Sequence, residues 1–215
     1  MNKHNKNVLL LTILGVLIGA GAVWIKINHK DAPGYALRKL EPASGYAANK
    51  TKSAVTIGGS FTLIDHYGND VTQDDYADFY KLVFFGFTNC PDICPTGLQK
   101  IASALDTLGD RSNVIHPLFI SVDPARDTPE IMKEYVEMFS PRLIGLTGTK
   151  EQVKQAEEAY KVYAAKVEGD TEDSYTMNHS TYIFFMNPQG EMIELFSSND
   201  SIEKMVLAIE KNLSH

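Results

Sequence analysis

Cysteine is scarce in this chain of 215 residues, which contains only two. Two cysteines exclude a scaffold held by several disulfides, and the lack of internal repeats excludes a solenoid. Basic residues are also few, with 20 Lys and Arg against 27 Asp and Glu, and the net charge is −7. This balance argues against a nucleic-acid partner, because phosphate binding needs clustered basic side chains. The length suits one domain with an extension.

The amino terminus lacks arginine before Arg38 and lacks acidic residues before Asp31. Residues 8–25 form an uncharged run of 18 residues between lysines, just long enough to cross a membrane as a helix. Residues 1–30 are therefore predicted to be a transmembrane anchor, or else a cleaved signal segment. The missing arginine argues against a mitochondrial presequence. We predict a single-pass protein of the bacterial inner membrane, with its body on the periplasmic or extracytoplasmic side.

Regular hydrophobic patterns begin only after residues 31–57, which are predicted to form a linker. The domain at 58–215 shows hairpin and buried-strand patterns at 61–72, 82–87, 118–122 and 182–196. Apolar spacing and capping residues predict four helices, which start near Pro91, at Thr128–Pro129, after Thr149 and at Ile202. Tyr160 and Tyr163 are predicted to belong to the buried stripe of the third helix, and residues 166–178 to form a loop.

Strands that alternate with helices and end in a hairpin predict an α/β domain. The expected architecture is a mixed central sheet with flanking helices, arranged as a thioredoxin-like fold. The two cysteines directly follow the buried strand at 82–87. Open α/β sheets carry their ligand sites at such strand ends, so the functional site is expected there.

The cysteine pair lies in the sequence Cys90-Pro-Asp-Ile-Cys94. If a helix begins near Pro91, both sulfurs share one face, and the helix amino terminus favours the thiolate form. A disulfide across so short a loop would add little stability. The pair is therefore interpreted as a redox-active dithiol or as part of a metal site. Thioredoxin-type enzymes place two residues between their cysteines, and the three found here weaken the redox interpretation.

Two further polar features accompany the cysteines. Among six histidines, His179 ends the acidic stretch 166–178 and precedes the strand predicted at Tyr182. Its context alone does not make it a ligand. The motif containing Asp123, Arg126 and Asp127 is interpreted as turn and helix-cap chemistry. A docking surface beside the site is the alternative for this motif.

Three motifs in the same order strongly resemble the Sco/SenC family of copper-binding assembly factors. They are Phe85-Gly-Phe-Thr-Asn-Cys-Pro-Asp-Ile-Cys-Pro95, Ser121-Val-Asp-Pro-Ala-Arg-Asp-Thr-Pro-Glu130 and Asn178-His-Ser180. The resemblance covers about residues 58–215. It implies a thioredoxin fold and a copper ion held by Cys90, Cys94 and His179. The family commonly has Asp before the histidine, where this chain has Asn178, and that difference could alter copper affinity.

The resemblance also implies a metallochaperone that helps to build the dinuclear copper centre of cytochrome c oxidase, rather than an enzyme. Its implied partners are the copper-bearing oxidase subunit and another copper chaperone. A thiol–disulfide reductase that uses Cys90 and Cys94 is the main alternative, and it would not need His179. A thioredoxin-fold peroxidase fits the close cysteine pair less well.

Overall fold

The computed structural model of the protein describes residues 56–169 and 174–213. The predicted membrane segment and nearly all of the predicted linker lie outside these residues. Among the helices that are described, none has both the length and the apolar character that a membrane crossing requires.

Seven of the described strands form one mixed sheet, and two others pair separately. Their bounds are β1 (Thr62–Asp65), β2 (Asp70–Thr72), β3 (Tyr80–Gly86), β4 (Ile115–Ser121), β5 (Ile144–Thr147), β6 (Ala164–Glu168), β7 (Tyr175–His179), β8 (Ile183–Met186) and β9 (Met192–Phe196). The large sheet has the order β2-β1-β5-β4-β3-β8-β9, and β6 pairs with β7. Strands β3, β4 and β5 are parallel neighbours, whereas β1 and β8 are antiparallel to the strands beside them.

Four α-helices connect or follow these strands in the described residues: α1 (Ile93–Leu108), α2 (Pro129–Glu137), α3 (Lys150–Tyr160) and α4 (Ile202–Leu213). The predicted caps of α2 and α3 are present. The Thr128 hydroxyl accepts a hydrogen bond from the Ile131 amide, and Thr149 forms a capping box with Gln152. Each cap satisfies an amide group that would otherwise lack a partner at the start of a helix.

Adjacent core residues on β3 point to opposite faces of the sheet, as strand geometry requires. Phe84 faces α1, where a side-chain carbon on Gly97 would lie 2.7 Å from its ring. Phe85 faces α3, and its ring centroid is 5.4 Å from that of Tyr160. The sheet is therefore covered by helices on both faces. The predicted mixed sheet with flanking helices is confirmed.

Three local predictions were wrong. The short strand β5 was not predicted, although it lies between β1 and β4 in the sheet. Helix α1 begins at Ile93 rather than near Pro91. The loop predicted at 166–178 is instead a hairpin, in which Lys166 pairs with Met177. Its strands were hard to recognise because they lie outside the main sheet and carry little apolar alternation.

The predicted buried stripe of helix α3 wrongly includes Tyr163, which lies beyond the end of the helix at Tyr160. Lys161 has a φ angle of 56°, a left-handed conformation that ends the helix. Tyr160 is 5 % exposed and packs against Phe85 and Phe184, whereas Tyr163 lies beyond the helix and is 59 % exposed. Only the first of the two tyrosines belongs to the core.

The two tyrosines should therefore differ sharply in their effect on stability. We expect Tyr160→Ala to lower the free energy of unfolding by about 3 kcal/mol, because it leaves a cavity between two phenylalanine rings. Tyr163→Ala should change it by less than about 0.5 kcal/mol, as exposed substitutions usually do. Urea unfolding of both variants measures the difference. Equal losses would contradict the helix boundary at Lys161.

Candidate metal centre

The site lies where two parallel strands end side by side. Gly86, the last residue of β3, is the register partner of Ser121, the last residue of β4. The segments that follow these strands therefore leave the sheet at the same edge. One carries Cys90 and Cys94, and the other carries Asp123 and the residues after it. This placement agrees with the rule that ligand sites lie at the carboxyl ends of strands in α/β sheets.

The two cysteines are free thiols in different surroundings. Cys90 is half-buried in the turn before α1, and Cys94 is completely buried in the first turn of that helix. The Cys94 amide donates a hydrogen bond of 3.4 Å to the Cys90 sulfur. Burial raises the pKa of the Cys94 thiol. The helix terminus that was expected to favour the thiolate is therefore outweighed at Cys94 by loss of solvent.

A glycine makes room for the buried sulfur. If Gly86 carried a side-chain carbon, that carbon would lie 2.7 Å from both Cys94 Sγ and the Phe119 ring. Such a contact is too short for either neighbour to accept without moving. A glycine inside a strand often marks a close approach of this kind. Gly86 therefore allows Cys94 to pack directly against the end of β3.

A buried carboxylate anchors the segment that leads to Cys90. Asp127 is 1 % exposed and accepts hydrogen bonds from the Thr88 hydroxyl at 2.6 Å, the Thr88 amide at 3.2 Å and the Ser121 hydroxyl at 2.6 Å. Burial raises the pKa of Asp127, and these hydrogen bonds oppose the rise. Turn chemistry alone did not predict this role. The motif joins the loop after β4 to the cysteine loop.

His179 reaches the cysteines as the last residue of strand β7, not from a loop as expected. Its Nε2 atom lies 3.5 Å from Cys94 Sγ, and its ring packs edge-on to Phe87. Its Nδ1 atom lies 2.9 Å from the Ser180 carbonyl oxygen, which can only accept a hydrogen bond. Nδ1 therefore carries the proton. Burial lowers the pKa of His179, which favours the neutral ring with a free Nε2 lone pair directed at the sulfur.

Asn178 does not occupy a position from which it would orient this imidazole. It is exposed, and successive residues of a strand point to opposite sides. The Ser180 carbonyl orients the ring instead. Two hydrogen bonds fix the base of the hairpin. The Ser180 amide donates to the Tyr163 carbonyl oxygen at 2.9 Å, and the Tyr163 amide donates to the Ser180 hydroxyl at 3.1 Å.

The donor atoms of Cys90, Cys94 and His179 all lie within 4.8 Å of one another. With metal–sulfur bonds of about 2.3 Å, three ligands around one ion would lie about 4 Å apart. The three side chains therefore fit a metal ion after small movements. Two sulfurs and one imidazole form a soft donor set, which suits Cu(I) better than hard cations such as Mg²⁺ or Ca²⁺.

A sequence model of the SCO1/SenC family matches residues 49–214, well over half of the chain. The chain belongs to the SCO1/SenC family. This membership agrees with the resemblance carried by the cysteine, aspartate–arginine and histidine motifs.

Individual SCO1/SenC relatives match most of the chain. The SCO2-like protein of Rickettsia felis is 34 % identical over 212 residues, which are 98 % of this chain and 100 % of that protein. Protein sco1 of Schizosaccharomyces pombe is 42 % identical over 71 % of this chain, but this chain spans only 59 % of that protein. The crystal structure of Arabidopsis thaliana ScoI with copper bound is 37 % identical, with a TM-score of 0.69, over 74 % of this chain and 99 % of that one.

Several residues that support this SCO1/SenC site were not identified from sequence. Gly86 interrupts an apolar run, and that interruption was a readable signal of close packing. The contact between Asp127 and Thr88 joins two motifs that are 39 residues apart and depends on strand pairing. The Ser180 carbonyl carries no signal at all, because every residue has one.

The role of Gly86 can be tested directly. We expect Gly86→Ala to weaken binding of Cu(I) about tenfold or more, because residues that position metal ligands typically have effects of this size. Competition with a chromophoric Cu(I) chelator measures the affinity. Gly145→Ala is the matched control, since its added carbon would crowd Met132 and Val136 rather than Cys94. An equal loss of affinity in both variants would contradict the proposed packing.

The buried Cys94 thiol should also make stability depend on pH. An unfolded cysteine ionises near pH 8.5, whereas the folded Cys94 keeps its proton to higher pH because its pKa is raised. Its contribution to stability is complete below about pH 8.5 and is lost as the pH rises toward the folded pKa. As the pH rises above about 8.5, the free energy of unfolding of the metal-free protein should therefore fall relative to that of Cys94→Ala, by up to about 1.4 kcal/mol per pH unit.

Urea unfolding at a series of pH values from 8 to 10, under reducing conditions, measures this difference. Comparison of the two proteins cancels the titration of other groups. A difference in unfolding free energy that does not change with pH would show that Cys94 ionises as easily in the folded state as in the unfolded state.

Proposed function

We propose that this protein binds copper through Cys90, Cys94 and His179 and delivers it for assembly of the dinuclear copper centre of cytochrome c oxidase. The observation that carries the proposal is the position of the His179 ring, whose Nε2 atom lies 3.5 Å from the Cys94 sulfur. The copper-bound structure of the related ScoI supports copper as the metal. The family resemblance of the three motifs supports the oxidase as the destination.

Copper is the cargo in this proposal. Thiolates select Cu(I), and an imidazole helps to retain Cu(II). Three protein ligands leave a coordination position open for a ligand from the partner. Cys90 is the more exposed of the two cysteines, so an incoming ligand would reach the metal most easily beside it. Exchange of ligands then transfers the ion without releasing it into water.

We further propose that residues 1–30 anchor the protein in a bacterial inner membrane and that residues 31–57 link the anchor to the domain. The domain then lies on the extracytoplasmic side, where the copper-bearing subunit of the oxidase and another copper chaperone would meet it. The uncharged run at residues 8–25 supports this placement.

A thiol–disulfide reductase is the second candidate, because the two free sulfurs lie close enough to form a disulfide after a small movement. In that reaction both thiols would be oxidised to a disulfide while a disulfide of the partner is reduced to two thiols. His179 has no required part in this chemistry. Its approach to Cys94 therefore favours the copper function.

Copper titration of the full-length chain tests the two candidates. We expect one tightly bound copper ion, which is lost when both cysteines are changed to serine. His179→Ala should weaken Cu(II) by at least about 100-fold, because losing a ligand should cost no less than losing a residue that orients one, and should weaken Cu(I) less. His116→Ala is the matched control, since His116 lies near the opposite end of strand β4.

Turnover of a disulfide substrate is measured in the same variants. Two results together would overturn the copper proposal in favour of the reductase. The wild-type protein would retain no copper, and the His179→Ala variant would still reduce the disulfide substrate. Equal losses of Cu(I) and Cu(II) affinity in His179→Ala would contradict the specific role given to the imidazole.

A further inference from the structure

The hairpin that carries His179 needs its own attachment to the domain. Strands β6 and β7 form a separate two-stranded sheet and share no strand pairing with the seven-stranded sheet. An isolated two-stranded hairpin is only marginally stable in water. His179 is the last residue of this hairpin, yet its Nε2 atom must stay near Cys94 for the two to share a ligand.

Arg126 contacts the start of strand β7, at the opposite end of the strand from His179. Its Nη1 atom donates a hydrogen bond of 3.1 Å to the carbonyl oxygen of Tyr175, the first residue of the strand. Its guanidinium carbon lies 3.7 Å from the centre of the Tyr175 ring. A planar guanidinium can make both contacts at once, whereas a lysine ammonium cannot both stack and donate from a fixed fork.

Asp123 closes this group of contacts. Its carboxylate is 4 % exposed and accepts hydrogen bonds from Arg126 Nε at 2.5 Å and from the Tyr175 hydroxyl at 2.9 Å. Its own amide is held by the Ser121 hydroxyl at the end of β4. Asp123, Arg126 and Tyr175 therefore form a clamp between the main sheet and the hairpin, with charge-assisted hydrogen bonds at its centre.

The clamp continues to the metal site through one aromatic ring. The Arg126 guanidinium carbon is 5.8 Å from the centre of the Phe87 ring, and the Phe87 and His179 ring centres are 5.7 Å apart. Phe87 precedes Cys90 by three residues, and its carbonyl oxygen accepts a hydrogen bond from the Cys90 amide. Within the described residues, the buried Nη2 atom of Arg126 has no hydrogen-bond partner.

We propose that Arg126 is a positioning residue, which holds strand β7 so that the His179 imidazole stays over the cysteines. This inference deepens the proposed copper function and rests on it. Arg126 does not touch the metal. It acts through Tyr175 and Phe87 on the place of His179, so its contribution to copper binding requires that histidine.

A double-mutant cycle tests this dependence. We expect Arg126→Gln to lower the affinity for Cu(II) about 10- to 100-fold in the full-length chain, as outer residues that orient metal ligands do. In the His179→Ala background the same change should have almost no further effect. An equal loss in both backgrounds would show that Arg126 acts on the cysteines or on the fold in general, and would overturn the proposal.

Two further variants distinguish a positioning role of Arg126 from an effect of its charge and from a general effect of losing an arginine. Arg142→Gln removes an arginine that binds Ser112, which precedes the start of strand β4, at the opposite end of the strand from the cysteines, and it should leave copper affinity unchanged. Arg126→Lys keeps the charge but loses the fork, and it should not restore affinity. Full recovery in Arg126→Lys would show that charge alone matters and would overturn the positioning role.

Hydrogen exchange of the copper-free protein provides a readout that does not depend on copper. Arg126→Gln should speed exchange of the β7 amides, Tyr175–His179, and leave those of β8 unchanged. Unchanged exchange in β7 would overturn the clamp even if copper binds. If the wild-type protein binds no copper while exchange in β7 does respond to Arg126→Gln, the copper function fails and the clamp remains.

Discussion

The approach of the His179 imidazole to the Cys94 sulfur is the interaction on which the rest of the site depends. The two residues are 85 positions apart, and closing a long loop has an entropic cost that the contact alone cannot offset. The protein meets this cost by anchoring each partner separately. The parallel pairing of β3 and β4 fixes the cysteine loop beside the Asp123–Asp127 segment, and this segment in turn holds the hairpin that carries His179.

Burial of Cys94 favours a neutral thiol, whereas metal binding requires a thiolate. A buried neutral thiol packs well beside Gly86, but a metal ligand must lose its proton. A metal with high affinity for sulfur can displace that proton, whereas weakly bound cations cannot. The raised pKa of Cys94 therefore favours selectivity for soft metals at the expense of thiol reactivity. In a reductase the attacking thiolate would therefore have to be the more exposed Cys90 rather than Cys94.

Local patterns in the sequence were sufficient for elements whose stability is local. The caps at Thr128 and Thr149, the buried strand β3 and the final helix were all predicted. Elements that depend on distant partners were not. Strand β5 has four residues and is stabilised between β1 and β4, and the β6–β7 hairpin is held by side chains from the loop after β4. The pKa of Cys94 was misjudged for the same reason, since burial comes from tertiary packing.

The separate origins of the three proposed ligands bear on the order in which they would release copper. Cys94 lies in the core at the end of the main sheet, where movement would disturb Gly86 and Phe119. His179 belongs to a small sheet whose attachment consists of a few polar and aromatic contacts, and elements with few contacts open most easily. Of the three proposed ligands, the imidazole is therefore the one that can move away without unfolding the domain. In the proposed copper function, loss of the imidazole would leave two thiolates, a donor set that holds Cu(I) better than Cu(II).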